Sequence, residues 1–263
     1  RMNNSAKRMC IPPLDPEMAL KSLVALVGLE KDWVPSTVGT SLYVRPTIIA
    51  REAFLGVRPA HSYIYYVILS PVGAYYPEGM NPVKILVVDK YVRAVEGGVG
   101  AAKTAGNYAA SLYAAEEAKH AGFTQVLWLD GRERKYLDEV GTMNIMLKIG
   151  DEVITPPLTS GTILPGVTRD SALTLMREWG LRVAERQVSI DEVAQAAHRG
   201  TLKEVWGTGT AAVISPVGEL AYKGERIVIN QGRIGELTQK LYDAIVGIQY
   251  ATAPDTHGWT VPV

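Results

Sequence analysis

The sequence predicts a mixed α/β protein built as two domains. Three observations carry this. Strand-patterned and helix-patterned segments interleave along the 263 residues. Apolar residues make up 47% and charged residues 21%, which suffices for an ordinary buried core. The stretch from Val72 to Pro82 gathers Gly73, Pro77, Gly79 and Pro82, so a linker is expected at 77–82, between a first domain over 1–76 and a second over 83–263.

Taken in order, residues 1–8 read as the middle of a helix, with Arg1 in place of a starting methionine, and residues are expected to precede it. Pro12 and Pro13 end that helix. Asp15 caps a second one with Pro16 at its first position. Lys31 to Pro35 is a turn. Ser41 to Ala50 alternates as a strand, and Tyr63 to Ser70 is a continuous apolar run, hence a buried strand. Beyond the linker, Val83 to Val88 is a strand. Asn107 is expected to cap a helix that ends near His120 and Gly122, with Tyr108, Leu112 and Ala115 on one face. Gln125 to Leu129 is a short buried strand. Tyr136 to Leu147 and Glu152 to Thr155 form a strand pair joined through Gly150. A helix is expected from Thr168 to Gly180, with Ala172, Leu173, Leu175, Met176 and Trp179 inward. Ser189 and Glu192 form a capping box for a helix ending near Gly200. Strands at 204–206, 211–216 and 226–229 precede a last helix faced by Leu237, Leu241, Ala244, Ile245 and Ile248.

Charge narrows the function classes. Lysine plus arginine number 27 and aspartate plus glutamate 27, a balance with no electrostatic footprint for nucleic acid or an anionic membrane. No apolar run is long enough to span a bilayer, and no signal peptide is visible. Cys10 is the single cysteine, which excludes an intrachain disulfide, argues against a thiolate metal site and suits a reducing, cytoplasmic compartment.

Chemistry centres on Lys103, within Glu96-Gly97-Gly98-Val99-Gly100-Ala101-Ala102-Lys103-Thr104-Ala105-Gly106-Asn107-Tyr108. A segment this small lets a backbone pass close to a bulky object. A lysine in a crowded, partly desolvated pocket has a lowered pKa and attacks carbonyls to form a Schiff base. The same residues nearly fit a phosphate-cradling G-x-x-x-x-G-K-[ST] loop, with Asp130 after a buried strand as a magnesium ligand, but Ala102 stands where that loop needs glycine. A solvated lysine in a glycine-rich turn is the third reading. Elsewhere, Pro165-Gly166-Val167-Thr168 puts free amides at a helix N-terminus, and Gly207-Thr208-Gly209-Thr210 offers two close-approach glycines and two hydroxyls; each suits a phosphate or is an ordinary turn. Alternation through Leu137 to Asn144 places Glu139, Gly141 and Met143 on one face, so Glu139 is either an edge residue or the partner of a buried cation.

Together, in order and spacing, the Lys103 segment, Asn107-Tyr108, Glu139-Val140-Gly141-Thr142-Met143-Asn144, Leu164-Pro165-Gly166-Val167-Thr168-Arg169 and Gly207-Thr208-Gly209-Thr210-Ala211 resemble the branched-chain amino acid aminotransferases. Gln125 to Leu129, Thr155-Pro156-Pro157-Leu158, Ser41 to Pro46 and Pro71 to Tyr75 extend the resemblance over essentially the whole chain. It implies fold type IV, with part of a small α/β domain followed by a large pseudo-barrel domain, pyridoxal 5'-phosphate (PLP) as cofactor, and amino transfer between branched-chain L-amino acids and 2-oxoglutarate. It implies that Lys103 carries the cofactor as a Schiff base and moves the substrate proton. Tyr108 would bond the cofactor phenolate oxygen and Glu139 the ring nitrogen. Val167, Thr168, Thr210 and Arg1 would hold the phosphate, with Thr142, Leu164, Thr208 and Gly209 also in contact with the cofactor. Thr210 and Ala211 amides would receive the substrate carboxylate, Thr142 would touch the substrate, Tyr43 and Arg45 would admit an acidic side chain, and Tyr75 would wall the pocket. Leu55 and Val57 would reach a neighbouring subunit's site in a homodimer or higher homo-oligomer. Members of the family usually have about a hundred residues before the position of Arg1, the size of a small α/β domain. Some relatives have Cys-x-x-Cys where Ala212-Val213-Ile214-Ser215 stands here, so no thiol switch is expected. A D-amino acid aminotransferase, an aminodeoxychorismate lyase and an inactive interaction fragment are the alternatives on the same fold.

Overall fold

A computed structural model describes residues 1–37, 39–73 and 79–263. The chain forms two compact units, Arg1–Pro77 with Asp255–Val263, and Glu78–Pro254. The last nine residues, expected in the second domain, thus group with the first.

In the first unit, helix α1 (Met2–Arg8) is followed by α2 (Pro16–Leu29), where the Asp15 carboxylate accepts the Met18 amide at 3.0 Å and Pro16 occupies the first turn. Strands β1 (Ser41–Ala50) and β2 (Tyr63–Val72) pair antiparallel over ten residues, from Ser41 opposite Val72 to Ala50 opposite Tyr63. The expectation of a buried strand at 63–70 is corrected here: no residue of β2 is buried. The sheet has only two strands among the described residues, so the apolar run meets one neighbour where burial needs two faces and two edges covered.

The second unit is a closed ring of strands. Strand β3 (Val83–Val88) lies parallel to β4 (Gln125–Leu129) after helix α3 (Ala105–His120). Strands β5 (Leu137–Val140), β6 (Met143–Ile149) and β7 (Glu152–Thr155) follow as antiparallel neighbours. Helix α4 (Val167–Glu178), strand β8 (Arg182–Glu185) and helix α5 (Ile190–His198) lead to β9 (Leu202–Gly209), β10 (Val213–Tyr222) and β11 (Glu225–Val228), and helix α6 (Glu236–Gln249) ends the unit. β10 pairs with β3, β3 with β4, β4 with β5, β5 with β6, β6 with β9, and β9 with β10, which closes six strands into the pseudo-barrel that the resemblance implies. Ring closure leaves these strands without an open edge, while β7–β8 and β11 hang on as extensions.

Two apolar layers hold the helices to the ring. α4 and α6 bury Leu173, Met176, Leu237, Leu241 and Ile245 against Met146, Trp206 and Ile214. α3 buries Ala114 and Ala118 against Val88, Val126 and Trp128. Its Tyr108–Leu112 face is turned outward, with Leu112 66% exposed. The Ser189 hydroxyl accepts the Glu192 amide at 3.0 Å and starts α5, which is one half of the expected capping box; the Glu192 carboxylate accepts from Arg186 instead.

Candidate active site

Glu139 is the centre of the site. It is 2% exposed, and its Oε1 accepts the Leu164 amide at 2.7 Å. Its Oε2 lies 3.2 Å from Arg93 Nε, close enough for an ion pair, yet that N–H is out of line for a hydrogen bond. Burial pushes the Glu139 carboxyl up to about 7, against the lowering effects of Arg93, the Leu164 amide and Lys103, while neighbouring Asp138 adds to the rise.

The strand expected over 136–147 is two strands with a turn at Gly141 and Thr142. Gly141 adopts φ 58°, donates its amide to Val126 at 2.7 Å and accepts the Trp128 indole N–H at 3.0 Å. The turn corrects the expected face. Glu139 pairs with Asn144, and Asn144 with Thr208, so these three share one face; Val140 pairs with Met143, which puts Met143 on the other. The shared face continues to Met146 and Trp206, which pack beneath α4 and α6, so it lies on the side where α4 begins.

Asn144 spans the gap to that helix. Its side-chain amide donates to the Leu164 carbonyl at 2.9 Å, and a Cβ on Gly166 would run into its Oδ1. Among the described residues no side chain caps the N-terminus of α4 at Gly166. The Thr208 hydroxyl is buried with no hydrogen-bond partner among the described residues. A buried carboxylate, an uncapped helix N-terminus and an orphaned hydroxyl on one side of the ring fit a ligand with a protonated nitrogen at one end and an anion at the other.

The glycine segment passes close to something, as expected, but that object is the chain itself. A Cβ on Gly100 would collide with the Thr162 carbonyl and sit 2.7 Å from Ala94 Cβ, and the Ala101 amide donates to Gly161 at 3.0 Å. Asn107 is not the N-cap, which is Thr104; its buried amide instead donates to the Val99 and Ala102 carbonyls at 2.9 and 2.8 Å and fixes the loop before Lys103. Lys103 itself is exposed, not enclosed in the crowded pocket expected, because the small residues before it pack inward. Its Nζ lies 5.5 Å from the centre of the Tyr108 ring. Similarly, the space at Gly207 and Gly209 is taken by Met143, whose Cε would lie 2.7 Å from a Cβ at Gly207 and whose Cγ 2.8 Å from one at Gly209.

One cavity is lined by Arg93, Asn107, Tyr108, Glu139, Thr142 and Leu164. Of the residues expected in the site, it brings together Tyr108, Glu139, Thr142 and Leu164. Val167 and Thr168 lie at the start of α4, and Thr210 and Ala211 in the exposed turn between β9 and β10, which ends at Val213 with φ 55°. For a β-branched residue that conformation is strained. Arg1, Tyr43, Arg45, Leu55 and Val57 belong to the first unit. There Arg45 lies 5.1 Å from the centre of the Tyr43 ring, and Leu55 and Val57 are fully exposed. Tyr75 lies outside the described residues. Sequence reasoning missed Arg93, although an arginine between Val92 and Ala94-Val95 is a visible signal of a buried cation, and it gave Asn144 no role of its own.

Comparison with known proteins bears on this arrangement. The family Amino-transferase class IV matches residues 1–220. Branched-chain-amino-acid aminotransferase 2 of Bacillus subtilis (strain 168) is 56% identical over 263 residues, which is 100% of this chain and 72% of that protein. The crystal structure of the Escherichia coli branched-chain amino acid aminotransferase superposes with a TM-score of 0.81 at 30% identity, covering 97% of this chain and 79% of that one. A T.th. branched-chain amino acid aminotransferase solved with pyridoxamine 5'-phosphate gives a TM-score of 0.80 at 25% identity, covering 97% and 79%.

Proposed function

The chain belongs to the class IV aminotransferases, and we propose that it catalyses reversible transfer of the amino group of L-leucine, L-isoleucine or L-valine to 2-oxoglutarate with pyridoxal 5'-phosphate as cofactor. The observation that carries this is the buried Glu139 carboxylate in a cavity with Tyr108, Thr142 and Leu164. The names of the relatives support the substrate class, and the T.th. structure with pyridoxamine 5'-phosphate supports the cofactor.

Bound PLP supplies an electron sink for the charge left when a proton departs the substrate α-carbon. The protein residues do the rest. Glu139 holds the proton on the ring nitrogen, since a buried carboxylate strongly favours a cationic partner. The Val167 and Thr168 amides, with the hydroxyls of Thr208 and Thr210, receive the phosphate at the positive end of α4. To Gly209, whose side-chain space Met143 fills, we assign a backbone contact with the cofactor on the resemblance alone. Tyr108 would donate to the phenolate oxygen, and Lys103 would hold the cofactor through its ε-amine, with loss of water from the aldehyde, and would serve as the base at the α-carbon. The turn at Thr210 and Ala211 receives the substrate carboxylate. To Arg1, Tyr43, Arg45, Tyr75, Leu55 and Val57 we assign, on the resemblance alone, the phosphate, substrate and neighbouring-subunit contacts it implies; the last of these makes a homo-oligomer part of the proposal. The match to the class IV aminotransferases supports the cofactor-lysine reading of the Lys103 segment over the nucleotide-binding one.

Absorbance of the purified chain with PLP tests this. The expected result is a visible band that L-leucine bleaches and that Lys103→Ala lacks. Turnover of D-alanine without L-leucine would instead assign a D-amino acid aminotransferase.

A further inference from the structure

Arg93 is buried where three parts of the site meet. Its Nε faces Glu139 Oε2 at 3.2 Å. One terminal nitrogen donates to the Gly100 carbonyl at 3.2 Å and also to the Thr162 carbonyl, across the seam where Gly100 has no room for a side chain. One guanidinium thus ties the carboxylate to the loop that ends in Lys103 and to the segment that leads into α4. Because the Nε–H is out of line with Oε2, that oxygen keeps room for a second donor from the cavity, while Oε1 is committed to Leu164. The charged groups around Glu139 are Arg93, Lys103 from the glycine segment, and Asp138 from its own strand. Arg93 is the buried cation among them.

We propose that Arg93 is a positioning residue that keeps Glu139 ionised, with Oε2 presented to the ring nitrogen of the cofactor. This rests on the function proposed above. Without the guanidinium, burial and Asp138 act on Glu139 with less opposition, its carboxyl titrates at higher pH, and a neutral acid meets the ring.

The test is PLP binding to the cofactor-free chain, followed by absorbance and intrinsic fluorescence from pH 5.5 to 9. In the wild type, affinity falls on the acid side as Glu139 takes up its proton. Arg93→Met should move that limb upward by one pH unit or more. It should also weaken binding at pH 7 roughly fivefold or more, the drop in the ionised fraction of Glu139 that such a displacement brings. Arg93→Lys, which keeps the charge, should restore the limb to within about half a unit, a rescue that a purely structural role does not predict. An unmoved limb in Arg93→Met overturns the assignment. If Arg93→Met does not fold, Arg93→Lys decides alone, and a limb displaced by more than one unit overturns the assignment. Wild type that takes up no PLP overturns the cofactor reading and this inference together.

Discussion

Glu139 and Asp138 make the stability of the cofactor-free chain depend on pH in one direction. Burial raises Glu139 from an ordinary value of 4.5 to about 7, and Asp138 from 3.8 to about 6. Each therefore favours the folded state fully below its ordinary value, and that contribution is lost as pH rises through the folded one. The unfolding free energy that these two groups contribute should fall between about pH 4 and 7, and Glu139→Gln should remove up to about 3 kcal/mol of that fall. A thermal scan in which the two chains run parallel across that window would refute it. At Gly209 the matter is space. A methyl there would stand 2.8 Å from Met143 Cγ, so Gly209→Ala should cost about 1–3 kcal/mol by overpacking. Met143→Ala in the same chain should recover part of it, and urea titration of the single and double variants reads the coupling directly.

Among elements, α6 depends on one acid. Glu204 accepts the Leu237 and Thr238 amides at 3.2 and 2.8 Å and the Thr238 hydroxyl at 2.7 Å, all buried, at the N-terminus of the helix. Glu204→Ala should destabilise the second unit by about 3 kcal/mol or more, because two buried amides and a hydroxyl lose their acceptor together, and denaturant unfolding measures it. Most elements were legible before the structure. The caps at Asp15 and Ser189 are local events, and a side chain three residues from an amide needs no tertiary information. The turn at Gly141 was not legible, because a single glycine between strand-patterned residues reads equally as strand interior and only pairing shows that the direction reverses. β8 was missed as well: Arg182-Val183-Ala184-Glu185 is short, and none of its residues is buried. Of the residues that line the cavity, Tyr108, Glu139, Thr142 and Leu164 are ones the resemblance implies, Arg93 shows in the sequence as a cation among apolar neighbours, and the packing role of Asn107 follows from contacts with backbone carbonyls, which carry no side-chain signature.

For the molecule as a whole, the two units contrast in how they are held. β6 and β9 are almost wholly buried in a closed ring, while β1 and β2 have no buried residue. Amide exchange should therefore be slower in β6 and β9 than in β1 and β2 by orders of magnitude, and equal protection would contradict the fold described. The ring also constrains how such a chain can change over generations. Glu139, Asn144 and Thr208 face the same way because the number of residues round the Gly141 turn is what it is. One residue inserted or deleted between 139 and 144 would turn either the acid or the amide to the opposite side. In a closed circle neither strand can slip along its neighbour to compensate. Substitutions along this hairpin are open to selection, but its length is a quantity that descent has to hold constant.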